Sequence, residues 1–72
     1  MIAERLRQTR DTVKLSRTNL AKRADVKAAT IADIEEGRNR NPSYDKVVRL
    51  ARALGVTPDY LYPIDFEPKR VA

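Results

Sequence analysis

RTNLAKRADVKAATIADIE, residues 17–35, spells two short helices joined by a tight turn. Leu20, Ala21 and Ala24 share one face of the first helix, and Ile31 and Ile34 share one face of the second. Val26 falls between them, where it can plug the corner. Ala21 is small, as a close crossing of two helices requires. The polar residues Arg17, Lys22, Arg23, Lys27, Thr30 and Asp33 point elsewhere. A helix pair with a compact corner and a basic exposed side suits the reading of duplex DNA.

Outward from this pair the chain continues in the same style. ERLRQTRDTVKLS (4–16), NLAKRADV (19–26), TIADIEEGRNRNPS (30–43) and LARALGVTPDYL (50–61) resemble the Cro and phage-repressor family, also called XRE. The resemblance runs from about Ile2 to Tyr62. It implies an all-α, five-helix, lambda-repressor-like domain over residues 1–62, with its helix-turn-helix at 17–35. The family's turn usually carries Gly, because the backbone there takes positive φ. Here the residue is Asp25, which tolerates the left-handed region better than most side chains.

Seventy-two residues allow one domain. The absence of Cys excludes disulfides and thiolate metal sites, and suits a reducing cytosol. The absence of His removes the commonest general base and metal ligand. No Gly-rich phosphate loop or paired carboxylates suggest an enzyme, a cofactor or a metal. No apolar run has the length of a signal peptide or a membrane span, so a cytoplasmic protein is expected, and the resemblance implies a bacterial, nucleoid-associated one.

The net charge of +5 points to an anionic polymer as partner. Residues 1–40 hold ten Lys/Arg against six Asp/Glu, and residues 41–72 hold five against four. The excess therefore sits with the helix pair. A merely soluble surface is the plainer reading of the same charge.

In chain order, a first helix is expected from about Ala3 to Val13. Ile2, Leu6 and Val13 form its inner stripe, with Thr9 or Arg10 between, and Leu15 anchors the next corner. Ser16 caps a second helix that runs to about Ala24. A third starts near Lys27 or Ala28 and ends near Glu36, with Gly37 as its left-handed stop. Arg38–Pro42 reads as a loop. Ser43 caps a fourth helix, in which Tyr44, Val47, Val48, Leu50, Ala51 and Leu54 mark the buried face. Gly55 ends it. Val56 packs, Thr57 caps, and Pro58 opens a short fifth helix. In residues 63–72, Pro63 and Pro68 exclude a helix, and Ile64 and Phe66 alternate with Asp65 and Glu67 as in a short extended tail. That tail either folds back on the core or serves self-association.

By resemblance, bases are read from the start of the third helix and one turn on: Lys27, Ala28, Ala29, Thr30 and Asp33. Ala28 and Ala29 can touch only a thymine methyl. Lys27 can reach guanine or phosphate, Thr30 a base edge or phosphate, and Asp33 a cytosine amine. The plainer readings are helix formers for the alanines and a solvated face for Asp33.

Phosphate contacts are expected from Ser16 and Arg17 at a helix start, and from Lys22, Arg38, Arg40, Asn41 and Ser43. Arg17 can also reach the nearest base. The resemblance further pairs Arg10 with Glu35. A bidentate bond there ties helix 1 to helix 3 and leaves an Arg10 N–H for phosphate. Without that pair, both are surface charges.

The leading reading is a sequence-specific regulator of transcription, a repressor of phage or prophage type. It would bind a palindromic operator in double-stranded DNA as a homodimer, with recognition helices about 34 Å apart. The expected dimer surface includes the Arg38–Ser43 loop, Val56, Pro58 and Tyr60, with Ile64 and Phe66 from the tail. Antitoxins of toxin–antitoxin pairs and controllers of restriction–modification operons use the same domain, so a protein partner such as a toxin stays open as the alternative.

Overall fold

Hydroxyl side chains start three of the helices in the computed structural model, which describes residues 2–62. The helices are α1 (Ile2–Thr12), α2 (Arg17–Ala24), α3 (Ala28–Glu35), α4 (Tyr44–Leu54) and α5 (Pro58–Leu61). The Ser16 hydroxyl accepts from the Asn19 N–H at 3.0 Å, Ser43 from Lys46 at 3.3 Å and Thr57 from Tyr60 at 3.2 Å. Each bond satisfies an N–H that the first helical turn leaves without a partner. Pro58 follows Thr57 at the first helical position, where its missing N–H costs nothing. No strand occurs among the described residues, and the fold is all-α.

The apolar stripes close on one core. Leu6 of α1, Leu20 of α2, Ile31 and Ile34 of α3, Leu50 of α4 and Leu61 of α5 are all fully buried. α2 packs on both α3 and α4, α1 on α3 and α5, and α4 on α5. Truncating one such Leu or Ile to Ala typically costs about 2–5 kcal/mol, against about 0–1 for an exposed ion pair. The core therefore holds the helices, and surface charge is free to serve another purpose.

The corner between α2 and α3 turns on Asp25, at φ 57° and ψ 47°. Its N–H and that of Val26 both reach the Ala21 carbonyl, the latter at 3.1 Å. Arg49 of α4 donates to the Asp25 carbonyl at 3.1 Å, bracing the turn from outside. Thus Asp takes the place of the family's Gly, and α4 helps hold it. Gly55, at φ 76°, closes α4 in the same left-handed region. Gly37, at φ 83°, follows the Glu36 cap of α3.

Two expected core residues face solvent. Val13 is 43% exposed and Tyr44 is 68% exposed. α1 ends at Thr12, and Lys14 turns the chain through φ 59°, so Val13 has left the helical stripe. Tyr44 is the first residue of α4. Helical side chains lean toward the N-terminus, which carries this ring off the helix end rather than onto the core. Between Ile2 and Arg10 the inner stripe is continued by Thr9, which is buried and donates to the Arg5 carbonyl at 2.7 Å. The extended tail, with Ile64 and Phe66, lies outside the described residues. No described helix is long and apolar enough to cross a membrane.

Candidate nucleic-acid interface

The leading end of α3 is open. Lys27 occupies its N-cap at φ −80° and ψ 143°, and makes no side-chain cap bond. Ala28 and Ala29 are exposed and Thr30 is half-buried, while Ile31 and Ile34 on the opposite face are in the core. The Thr30 and Ile31 N–H groups are the first to bond back, both to the Lys27 carbonyl, at 2.9 and 3.3 Å. The N–H groups of Ala28 and Ala29 precede those bonds. This end joins small side chains, uncapped donors and the positive end of a helix dipole. Beside it runs a groove lined by Asp25, Val26, Lys27 and Thr30 and by Asp45, Lys46 and Arg49 of α4, with Arg49 paired to both Asp25 and Asp45.

The trailing end is locked. Glu35 is 2% exposed, and its carboxylate receives Arg10 in a bidentate bond, Nε to Oε2 at 2.8 Å and Nη2 to Oε1 at 3.0 Å. Arg17 adds its Nε to Oε1 at 3.0 Å. The remaining Arg10 Nη1 donates to the Leu15 carbonyl at 2.9 Å, so this guanidinium is spent largely inside the protein. Arg7 donates to the Glu35 carbonyl at 2.7 Å. Burial by itself pushes the Glu35 carboxyl pKa up. The hydrogen bonds from Arg10 and then Arg17 outweigh it and leave the group below its ordinary value.

Glu36 continues the array on the surface. Arg17 donates Nη1 to its Oε2 at 3.0 Å, and Arg38 donates Nη1 to its Oε1. These bonds, Arg38 first, hold the Glu36 carboxyl below its ordinary value. Arg38 also donates Nε to Asp33 Oδ1 at 2.8 Å. The Asp33 carbonyl in turn accepts from the backbone N–H of Arg38 and of Asn39, at 2.9 and 3.0 Å. Asp33, expected as a partner for cytosine, is thus already engaged in shaping the loop after α3.

The remaining expected contacts distribute as follows. Ser16 is exposed, with its hydroxyl used as a cap; Lys22 is exposed on α2. Arg40 is exposed and makes no ion pair among the described residues. Its loop is anchored by the Tyr62 hydroxyl, which donates to Asn41 Oδ1 at 2.9 Å. The Asn41 N–H reaches Asn39 Oδ1 at 3.1 Å, and Ser43 caps α4. Of the expected dimer residues, Val56 packs partly against the core, Pro58 is half-buried and Tyr60 is exposed. The Tyr60 ring lies under the Arg5 guanidinium, 4.5 Å from its centroid.

Arg7, Glu36, Arg49 and Tyr62 support this surface and escape a reading of the sequence. Each makes at least one contact across 19 or more residues of chain, and local periodicity carries no signal for such pairs.

A family model described as a helix-turn-helix domain matches residues 2–61. The chain belongs to the helix-turn-helix domain family. No curated protein matches it. Among solved structures, a chain of a SinR protein/SinI protein complex superposes on the helix-turn-helix domain with a TM-score of 0.83. The two are 24% identical, and the match covers 99% of this chain and 72% of that one. At this identity the likeness is one of fold. α2 and α3 are the helix pair that gives the family its name, and the open end of α3 belongs to the second of them. The fold is thus that of a DNA-binding module, as the resemblance to Cro and phage repressors implies.

Proposed function

We propose that this protein is a sequence-specific regulator of transcription that inserts the leading end of α3 into the major groove of double-stranded DNA. The observation that carries the reading is an exposed, uncapped helix start with Lys27, Ala28, Ala29 and Thr30, beside which Lys46 and Arg49 line a groove. A helix enters that groove by its N-terminal residues, and flanking cations and free N–H groups take the phosphates. Residues 1–62 serve as the DNA-binding domain and residues 63–72 as a tail. On a palindromic operator two copies would bind as a homodimer, and occupation would block polymerase in the manner of a cytoplasmic phage-type repressor. No step of this function requires a cofactor or catalysis.

Titration of the protein with duplex DNA at several salt concentrations tests the proposal. Affinity should fall steeply with salt, because each phosphate neutralised releases condensed counterions. Selection from random duplexes should yield a two-fold symmetric site. No binding at low ionic strength would overturn the reading.

A second reading adds a protein partner, as an antitoxin or an operon controller would have. The pairing of a SinR protein with a SinI protein supports it, since a chain of this fold is found there in a complex of two proteins. Copurification with a small protein at fixed stoichiometry, retained at high salt, would favour this reading over DNA binding alone.

A further inference from the structure

We infer that Glu36 is a positioning residue for the DNA interface, spacing two phosphate-binding arginines across the end of α3. The inference rests on the DNA-binding reading and deepens it. Each carboxylate oxygen of Glu36 takes a different arginine, Oε2 from Arg17 and Oε1 from Arg38. Arg17 opens α2 and Arg38 lies in the loop after α3, so one side chain links the two flanks of the reading helix.

Both guanidinium groups are held by a second carboxylate through Nε, Arg17 by Glu35 at 3.0 Å and Arg38 by Asp33 at 2.8 Å. Each therefore has Nε and Nη1 fixed by protein. Nη2 makes no hydrogen bond among the described residues on either arginine, and this is the edge left for an anion. The side chains remain partly open, at 34% for Arg17 and 58% for Arg38. A guanidinium can serve a carboxylate and a phosphate at once through different edges of its planar fork. Pre-set in this way, it loses little freedom when it docks.

A bare charge argument predicts the opposite sign. Glu36 is negative and stands beside the phosphates, so its removal should tighten all DNA binding alike. Positioning separates two kinds of complex. Binding to any sequence uses charge and tolerates loose arginines. Binding to the chosen site uses geometry and needs them in place.

The test compares Glu36→Gln with Glu4→Gln, which removes the same charge from the exposed first turn of α1. The probes are a duplex selected by the wild-type protein from a random pool and a scrambled duplex of the same composition. For the scrambled duplex the two variants should bind alike, at or above wild-type affinity. For the selected duplex Glu36→Gln should bind about 3- to 10-fold more weakly than Glu4→Gln, the range that two exposed pairs allow. Its melting temperature should match that of Glu4→Gln, which separates positioning from unfolding. In an Arg17→Gln, Arg38→Gln background the further change at Glu36 should leave the ratio of the two affinities unmoved. Equal ratios for Glu36→Gln and Glu4→Gln would overturn the inference, as would a drop that persists without the two arginines. Failure of the wild-type protein to bind any duplex would instead overturn the DNA-binding reading beneath it.

Discussion

At its leading end α3 carries Ala28, Ala29 and an uncapped first turn; at its trailing end Glu35 and Glu36 gather Arg10, Arg17 and Arg38. The two ends are one short helix apart and share a core face through Ile31 and Ile34. One end keeps its backbone donors and small side chains uncommitted. The other commits nearly every charge it has. A helix that must present a few side chains to a rigid duplex needs its own base fixed, because an error in its angle is magnified at the tip. The contrast shows where the chain places order and where it leaves capacity to bind.

The largest break in this contrast should come from Glu35. Glu35→Ala leaves two arginines facing a buried gap, and such a loss costs about 3–5 kcal/mol. Chemical denaturation should report it as a lower midpoint with an unchanged slope. Acid should do the same reversibly. The folded-state pKa of Glu35 lies below its unfolded value, so the unfolded chain takes up the proton first. The stability Glu35 supplies is complete above the ordinary carboxylate range, about pH 4.3, and is lost as pH falls through the folded value. Melting curves of the wild type and Glu35→Gln, recorded downward from neutral pH, should converge in that acid window.

The open end should respond in preference rather than in stability. Ala28→Gln or Ala29→Gln supplies a side chain able to bond adenine bidentately, worth about 1–3 kcal/mol of discrimination. Site selection with each variant should return a changed consensus at one or two positions, with folding unaffected. Arg40→Ala, by contrast, should weaken binding to every sequence by a similar factor and lower the salt slope by about one. Arg17→Ala should also weaken all sequences. Because Arg17 also bonds the buried carboxylate of Glu35, it should lower the melting temperature too. If Arg40→Ala altered preference and the alanine changes did nothing, the division between the two ends would be wrong.

The smallest effect should come from supplying the missing cap. Lys27→Ser gives α3 the hydroxyl that α2, α4 and α5 already have, and should stabilise the domain by about 0.5–1 kcal/mol. The same hydroxyl would occupy a first-turn N–H and remove a cation. Duplex affinity should therefore fall while the melting temperature rises. A parallel rise in both would show that the uncapped end serves no binding purpose.

Much of this was legible in the residues because helices write their faces locally. Leu20, Ala21, Ala24, Ile31 and Ile34 recur at the spacing of one face, and all five are buried. Ser16, Ser43, Thr57 and Pro58 mark helix starts by chemistry that acts within three residues. Val13 and Tyr44 misled because the period runs on past the point where the helix begins or ends.

The amino-acid order by itself determined the five helices, their inward faces and a positive charge concentrated in the first forty residues, since each follows from spacing or composition. Only the tertiary structure decided which charges are spent. In the sequence Arg10 is paired with Glu35 only through the family resemblance, and Arg17, Arg38 and Asp33 read alike as surface groups until folding brings partners 2 to 19 residues away within hydrogen-bonding distance. An ion pair depends on distance in space, and most of those distances are set by the crossing of α1, α2 and α3 over one apolar core.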